Sequence, residues 1–271
     1  MVSFYLLGNK TISQMFGCVV QSNDKTIVID GGACGDETQL INFLQEKANG
    51  HVDAWFFTHP HHDHIGAFCM LQKQEVNIKV DSIYHCFPSF GMLKERELRT
   101  THETALWEIL ENVFQEKYKD KVHILQRNEK FRFSDFSIEV LRVYNPNILP
   151  NFINNSSAVF LVKSPNNKIL ILGDLGAEGG AELMDMYTSE DLFADYTQMS
   201  HHGQCGCSKE FYEYIKPKRC IWPSPQWLWD NDNGGGFNTG PWQTVQTRQW
   251  MEELRVQEHY VEKDGIVNIS F

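Results

Sequence analysis

One short segment carries four histidines and an aspartate directly after an apolar run, and it constrains the fold more than any other part of the chain. Residues 55–57 are aromatic and predict a buried strand. Pro60 has no backbone donor, so the strand should end before it and the histidines should lie on a loop. Gly66 then begins an apolar run that predicts a helix. Burying so many unpaired polar groups is costly, so this segment cannot belong to an ordinary apolar core.

The polar residues of this segment follow the spacing His-x-His-x-Asp-His, formed by His59, His61, Asp63 and His64. Neutral imidazole and carboxylate are ligands that Zn²⁺, Mn²⁺ and Fe accept. The spacing therefore predicts a metal site at the end of the strand. His62 occupies the variable position, and we expect it to face solvent or to support the ligands. The alternative is a surface loop that is merely rich in histidine.

Three other predicted strands end in residues of the same chemical kind. Asp30, Asp174 and the adjacent His201 and His202 each stand where an apolar run stops and a turn containing glycine begins. Strand ends on one side of a sandwich converge, so we expect one shared site. Such a set can hold two metals roughly 3.5–4 Å apart, bridged by Asp174, with a shared hydroxide as nucleophile. The alternatives are an Asx turn at Asp30 and a helix N-cap at Asp174.

Strands and helices are predicted in both halves of the chain. An apolar stripe from Leu98 to Val113 at i, i+3/i+4 spacing predicts an amphipathic helix. Residues 158–162 and 169–172 flank a turn and predict a hairpin. No Pro/Ser-rich linker, low-complexity tract or fixed-period repeat divides the sequence. We therefore predict two packed sheets with helices outside them, in a single domain over residues 1–271.

Charge and cysteine content limit the function classes. The 271 residues carry a net charge of −11, which argues against a stable nucleic-acid partner but not against phosphate substrates. Residues 1–10 lack a basic stretch followed by a long apolar one, so we expect no secretory signal, and no apolar run approaches the ~20 residues of a membrane helix. Its seven cysteines show no framework spacing. We expect a cytoplasmic protein with reduced thiols, a small-molecule substrate and no membrane partner. The sequence leaves the oligomeric state open.

Taken in order, these motifs resemble the metallo-β-lactamase superfamily. The His-x-His-x-Asp-His spacing resembles its defining motif, and Asp30 in Ile-Asp-Gly-Gly is similar to its first motif. Asp174 in Ile-Leu-Gly-Asp resembles the bridging aspartate, and the His201-His202-Gly turn resembles the last ligand motif. The resemblance implies a four-layer αββα sandwich with the site along one edge of the two sheets.

The resemblance also implies two ligand sets that share one aspartate. The first set is His59, His61 and Asp174, and the second is Asp63, His64, Asp174 and one terminal histidine. We favour His201 as that ligand and expect His202 to face the substrate or donate a proton. Asp63, His202 and Asp30 are our candidate catalytic residues. Zinc is the expected metal at up to two sites, with manganese and iron as alternatives.

The sequence departs from the family pattern at one position. Lactamases and glyoxalase-II-like members have a third histidine between the first cluster and the bridging aspartate. Here no histidine lies between His123 and His201, and the matching segment offers Asn154 or Asn155. The first metal would then have fewer ligands, which counts against β-lactamase and glyoxalase II activity.

Within the superfamily, residues 154–162 and the Ser-His-His-Gly turn resemble the hydrolase domain of the competence DNA-uptake channel proteins. They also resemble the free-standing relatives of that domain and the phosphorylcholine-esterase branch. The resemblance implies a binuclear hydrolase acting on a phosphodiester or phosphoester. The alternatives are hydrolysis of a carboxylic ester, lactone or thioester, and a metal-binding sensor or scaffold without catalysis.

Two further features remain open at the level of sequence. Aromatic residues between Trp222 and Trp242 would either wall a substrate pocket, as a cation–π cage, or cover a sheet edge. Cys205 and Cys207 follow the histidine turn, where they would either pack the turn or form a metal or redox pair.

Overall fold

The computed structural model describes residues 2–96 and 101–271. In this part of the chain fourteen strands form two seven-stranded sheets. The strands are β1 (Ser3–Leu6), β2 (Gly17–Gln21), β3 (Thr26–Asp30), β4 (His51–Phe56), β5 (Lys79–His85), β6 (Val122–Ile124), β7 (Lys130–Arg132), β8 (Ser137–Arg142), β9 (Val159–Lys163), β10 (Lys168–Ile171), β11 (Tyr196–Gln198), β12 (Arg219–Trp222), β13 (Glu258–Val261) and β14 (Val267–Ser270). The first sheet has the order β14-β1-β2-β3-β4-β5-β6, and the second has the order β13-β12-β11-β10-β9-β8-β7.

Helices connect the strands and cover the outer faces of both sheets. They are α1 (Glu37–Ala48), α2 (His62–Leu71), α3 (Phe90–Arg96), α4 (Thr101–Glu116), α5 (Ala177–Met186), α6 (Ser189–Leu192), α7 (Lys209–Ile215), α8 (Gln226–Trp229) and α9 (Thr244–Glu253). The predicted amphipathic helix is α4, and its predicted start at Leu98 lies outside the described residues. None of the helices in the described ranges has the length and apolarity that crossing a bilayer requires.

Alternation along the strands explains the four layers. On β10, Ile169 and Ile171 pack between the sheets, whereas Leu170 packs outward against the helices of the second sheet. On β3, Ile29 points between the sheets and Val28 points outward. Both faces of these strands are buried, which is why they read as continuous apolar runs. The predicted αββα sandwich and the hairpin of β9 and β10 are confirmed.

Parallel pairing brings the polar strand ends to one edge. In the first sheet β3, β4 and β5 are parallel neighbours, and in the second sheet β10, β11 and β12 are parallel neighbours. Asp30 ends β3, and the histidine-rich segment follows β4. Asp174 follows β10, and the turn Ser200–Gly203 follows β11. The four predicted motifs therefore lie at the carboxyl ends of adjacent strands.

The layer between the sheets gives a prediction about stability. We expect Ile171→Ala to lower the free energy of unfolding by about 2–5 kcal/mol, because Ile171 is fully buried between the sheets and its removal leaves a cavity. Ile12→Ala is the matched control, since Ile12 is 95% exposed and should change stability by about 0.5 kcal/mol or less. Urea unfolding followed by circular dichroism measures both. Equal effects of the two substitutions would contradict the placement of this layer.

Candidate metal centre

The histidine-rich segment is a short extended link followed at once by a helix. His61 precedes α2 with extended dihedrals (φ −75°, ψ 154°), so Asp63 and His64 lie in the first helical turn. Our prediction that the helix begins at Gly66 was wrong by one turn. A carboxylate in the first turn favours the helix, since it interacts with the positive end of the helix dipole. Gly66 lies inside the helix, where a Cβ atom would stand 2.5 Å from the Cys34 nitrogen.

One group of ligand atoms forms around the start of α2. Asp63, His64, Asp174 and His202 each offer one such atom, and these atoms lie within 4.8 Å of one another. His202 Nε2 is 3.2 Å from Asp63 Oδ2 and 3.4 Å from Asp174 Oδ2. His64 Nε2 is 3.2 Å from Asp174 Oδ1. All four residues are buried, so together they form a compact polar centre.

A second group of ligand atoms also includes Asp174. It consists of His59, His61 and Asp174. His59 Nε2 is 3.7 Å from Asp174 Oδ2 and 3.0 Å from His61 Nδ1. His59 and Asp174 are buried, whereas His61 is partly exposed. The ligand sets implied by the family resemblance thus appear as two adjacent groups of atoms.

Several atoms of these groups are buried without a hydrogen-bond partner among the described residues: both carboxylate oxygens of Asp174, His64 Nε2 and His202 Nε2. Leaving buried polar atoms unpaired costs about 1–3 kcal/mol each, and more for charged groups. Bound divalent cations would satisfy all of them at once, because these are the nitrogen and oxygen donors that zinc accepts. The residues therefore fit a metal centre.

Asp30 acts on this centre through His64 and not by direct contact. Its Oδ2 lies 2.7 Å from His64 Nδ1, which leaves Nε2 to face Asp174. Thr58 donates its backbone N–H and its hydroxyl to the same carboxylate, at 2.8 and 2.6 Å. Asp30 has a left-handed backbone, with φ of 56°, and is fully buried. A carboxylate that orients a ligating imidazole is a common support in metal sites, so this contact fits a positioning role for Asp30, which we predicted as a catalytic residue.

The turn after β11 separates the roles of two adjacent histidines. His202 is fully buried, and its Nδ1 donates to the carbonyl of Pro223 at 2.8 Å, so its Nε2 faces Asp63. His201 keeps 17% of its side chain exposed, and its Nε2 lies 3.9 Å from Asp174 Oδ2. The geometry thus places His202 and not His201 in the ligand group with Asp63 and His64, the position for which we favoured His201.

Other residues around the centre had no signal in the sequence. Thr58 links the two sheets, since its carbonyl accepts from Ala158 N–H at 2.9 Å. Gln14 donates to Asp63 Oδ2 at 2.9 Å and is itself held by Gln204, which lies 190 positions away. Gln14 and Gln204 are so far apart in the sequence that no local pattern reveals their contact. Of these residues, sequence reasoning could have suspected only Thr58, which directly precedes the histidine motif.

His62 lies outside both ligand groups. Its Nδ1 is 2.7 Å from Glu103 Oε1 on α4, and its side chain is 37% exposed. Burial opposes protonation of this imidazole, but the Glu103 and Asp63 carboxylates outweigh it and raise its pKa. His62 thus helps to tie α2 to α4 beside the centre.

The charges of Asp63, His64, Asp174 and His202 depend strongly on one another. Burial disfavours ionised carboxylates, yet neighbouring imidazoles hold the pKa values of Asp63 and Asp174 well below the usual range. Burial also disfavours imidazolium, but Asp174 and Asp30 hold the pKa of His64 well above its usual value. Likewise Asp174 and Asp63 overcome burial and raise the pKa of His202 to about 10. Without a metal, protons on these imidazoles balance the carboxylates.

The imidazoles of His59 and His201 have pKa values shifted in the opposite direction. Burial, reinforced by the charge of His64, holds the pKa of His59 well below its usual value. Burial also lowers the pKa of His201. Neutral imidazole is the form that binds metal, so His59 needs no deprotonation before it binds.

A third group, formed by His51, Asp53 and Asp81, lies at the opposite ends of the strands. Its carboxylates already have cationic partners, because Lys25 Nζ is 2.7 Å from Asp53 and Lys79 Nζ is 2.8 Å from Asp81. These charges are balanced by the protein itself, in contrast to those around Asp174.

The aromatic loop and the cysteines have structural partners. Arg248 lies 4.3 Å from the ring centre of Trp229 and 5.7 Å from that of Phe237, so a cation of the protein occupies this aromatic surface. Cys207 is buried in the core outside the second sheet, whereas Cys205 is exposed. All seven cysteines are free thiols, and those two belong to none of the ligand groups found among the described residues.

Sequence comparisons agree with the motifs. Residues 18–80 match the family model described as the metallo-beta-lactamase superfamily. ComE operon protein 3 of Bacillus subtilis (strain 168) is 28% identical over 188 residues, which are 68% of this chain and 21% of that protein. The chain thus spans about a fifth of the length of this relative. The predicted resemblance to the superfamily is confirmed.

Solved structures confirm the fold. YhfI from Bacillus subtilis, a metallo-beta-lactamase fold protein, matches with a TM-score of 0.58 at 13% identity, covering 100% of both chains. Zn²⁺-bound PqqB from Methylobacterium extorquens matches with a TM-score of 0.55 at 12% identity, again covering 100% of both chains. Identities this low concern the fold alone. The structure has the metallo-β-lactamase fold.

Proton release should accompany metal binding. At pH 7.5 we expect zinc to displace about two protons, because His64 and His202 carry raised pKa values in the metal-free protein. Metal affinity should therefore rise with pH. The same shift implies that His202 stabilises the metal-free fold fully below about pH 6.5 and loses this effect as the pH rises through about 10. Calorimetric titration in buffers of different ionisation enthalpy counts the protons, and a buffer-independent enthalpy would contradict the assignment.

The supporting role of Asp30 is testable by one isosteric change. Asp30→Asn should weaken zinc binding about 10–100-fold, because it removes the carboxylate that orients His64. Asparagine tolerates the left-handed backbone at this position, so the fold should persist. Competition with a chromophoric chelator measures the affinity, with Asp120→Asn on the surface as control. Unchanged affinity in Asp30→Asn would show that the contact is not used.

Proposed function

We propose that this protein is a hydrolase that uses two divalent metals, most simply zinc, bound on either side of Asp174. The observation that carries the proposal is the pair of unpartnered Asp174 oxygens between two groups of ligand atoms. His59 and His61 would hold one metal with Asp174. Asp63, His64 and His202 would hold the other with the same aspartate. A carboxylate shared in this way is a feature of two-metal hydrolytic sites.

The residues of the chain prepare the site in three ways. Bound divalent cations supply Lewis-acid stabilisation of developing negative charge and lower the pKa of water to about 7. Gln14 holds Asp63, and the Pro223 carbonyl holds the ring of His202, so both ligands are oriented before any metal or substrate arrives. Asp30 and Thr58 do the same for His64. Fixed ligands reduce the reorganisation that the reaction would otherwise require.

Phosphodiesters are the substrate class that we favour within this reaction type. The ligands around two divalent cations include only two carboxylates, Asp63 and Asp174, and the imidazoles bind as neutral groups. The loaded centre would therefore carry a net positive charge and attract an anionic substrate, despite the acidic surface of the chain. The predicted resemblance to the hydrolase domain of the competence DNA-uptake channel proteins favours the same choice.

Asp174→Asn tests the proposal. We expect wild-type protein to bind two zinc ions per chain and to hydrolyse bis-(p-nitrophenyl) phosphate. The substitution should abolish turnover and remove at least one metal, because the amide cannot ligate both ions through charged oxygens. Elemental analysis and p-nitrophenol release are the measurements, and Asp120→Asn is the matched surface control.

Two outcomes of this experiment would contradict the proposal. Turnover of an ester, lactone or thioester panel without phosphodiester hydrolysis would reassign the substrate class. A single tightly held metal with no turnover of any of these compounds would identify a metal-binding sensor or scaffold instead.

A further inference from the structure

We propose that His201 is a ligand of the metal held by His59 and His61, and that it replaces the histidine missing from the family pattern. The inference rests on the proposed two-metal site but concerns which imidazoles bind, and it is independent of the substrate. In the described part of the chain the His59–His61 group has only three ligand atoms, one fewer than the other group. A fourth ligand would give both metals the same number of protein ligands.

The distance from His201 to the shared aspartate permits this role. His201 Nε2 lies 3.9 Å from Asp174 Oδ2, the same oxygen that lies 3.7 Å from His59 Nε2. Zinc bonds to nitrogen and oxygen measure about 2.0–2.2 Å, so one ion can reach two atoms at either separation. One ion could therefore bind both His201 and Asp174, just as one ion could bind both His59 and Asp174.

The backbone of the turn directs the two adjacent histidines to different metals. His201 and His202 both have left-handed dihedrals, with φ of 51° and 57°. Such conformations are unfavourable in residues other than glycine and concentrate at functional sites. The His201 N–H donates to the carbonyl of Gly173 at 3.0 Å, which fixes the turn beside Asp174. The two rings end 6.1 Å apart, with His202 in one ligand group and His201 outside both groups, 3.9 Å from the aspartate that the groups share.

The surroundings of His201 provide no other structural function for its ring. Its Nδ1 is buried without a hydrogen-bond partner among the described residues. The contact that the structure gives Nε2 besides Asp174 is Asn154 Nδ2 at 3.4 Å, the long end of the hydrogen-bond range. By contrast, His202 has a firm anchor in the Pro223 carbonyl. A bound ion would explain why this strained and nearly buried imidazole has so few hydrogen-bond partners.

Asn154 is the competing ligand at the place of the missing histidine. Its Nδ2 donates to Asn151 Oδ1 at 3.0 Å, and its Oδ1 is buried without a partner in the described residues. An amide oxygen is a weaker ligand for zinc than imidazole, so we assign the bond to His201 and a supporting contact to Asn154.

Cadmium-113 NMR of the full chain tests the assignment without relying on activity. In ¹¹³Cd–¹H correlation spectra, only imidazoles bound to the ion show couplings from their ring protons. We expect couplings from five side chains: His59, His61, His64, His201 and His202. In His201→Asn one set should disappear, and one of the two cadmium affinities should fall by more than about 10-fold. Asparagine suits the left-handed backbone, which protects the fold.

Matched variants separate this proposal from its competitors. His202→Asn should remove a different coupling and weaken the other cadmium ion, whereas His123→Asn on the exposed strand β6 should change neither. Asn154→Ala should leave all five couplings in place. If His201→Asn fails to fold, the wild-type spectrum decides by itself whether four or five histidines are bound.

The outcomes also distinguish this proposal from the proposed function. Four couplings in the wild type, or two unchanged affinities in His201→Asn, would overturn His201 as a ligand. A wild type that binds only one cadmium ion would overturn it as well. Five couplings in a protein that hydrolyses no phosphodiester would support the ligand assignment and reject the proposed substrate.

Discussion

The buried carboxylate of Asp174 is the interaction on which the rest of the site depends. It is shared by two groups of ligand atoms, and its oxygens lie 3.2–3.7 Å from nitrogens of His59, His64 and His202 without a hydrogen bond of ordinary geometry among the described residues. A negative charge in such a position requires positive charge nearby. Protons on the imidazoles can supply it in the metal-free protein, and divalent cations supply it more completely. Folding, protonation and metal binding are therefore linked through this single side chain.

The two sheets make this arrangement possible because their parallel strands end at a common edge. The edge is joined across the sandwich by the contact from Ala158 N–H to the Thr58 carbonyl and by the close approach of Gly173 to Thr58. Left-handed backbones at Asp30, His201 and His202 then turn the side chains inward. These backbone conformations are unfavourable, and burial of apolar side chains on both faces of each sheet compensates for their cost. The apolar layers are continuous from strand to strand. Stability of the sandwich and geometry of the site thus come from different residues.

Much of this could be predicted from the sequence, because the signals were local. Strand ends, glycine turns and the His-x-His-x-Asp-His spacing predicted two packed sheets and one shared site, and the family resemblance implied the four-layer αββα order. The division of roles between His201 and His202 was not predictable, since two adjacent histidines differ only in the backbone dihedrals that aim them. The start of α2 was missed because Pro60 signals the end of a strand but not how soon a helix follows. Long-range supports such as Gln14 leave no trace in a single sequence.

The most direct test of the account is the location of metal ions in crystals of the zinc-loaded protein, determined from anomalous scattering. We predict two peaks roughly 3.5–4 Å apart, on either side of Asp174, one next to His59 and His61 and the other next to His64 and His202. A single peak, or peaks at the group of His51, Asp53 and Asp81 instead, would contradict the shared carboxylate as the centre of the site.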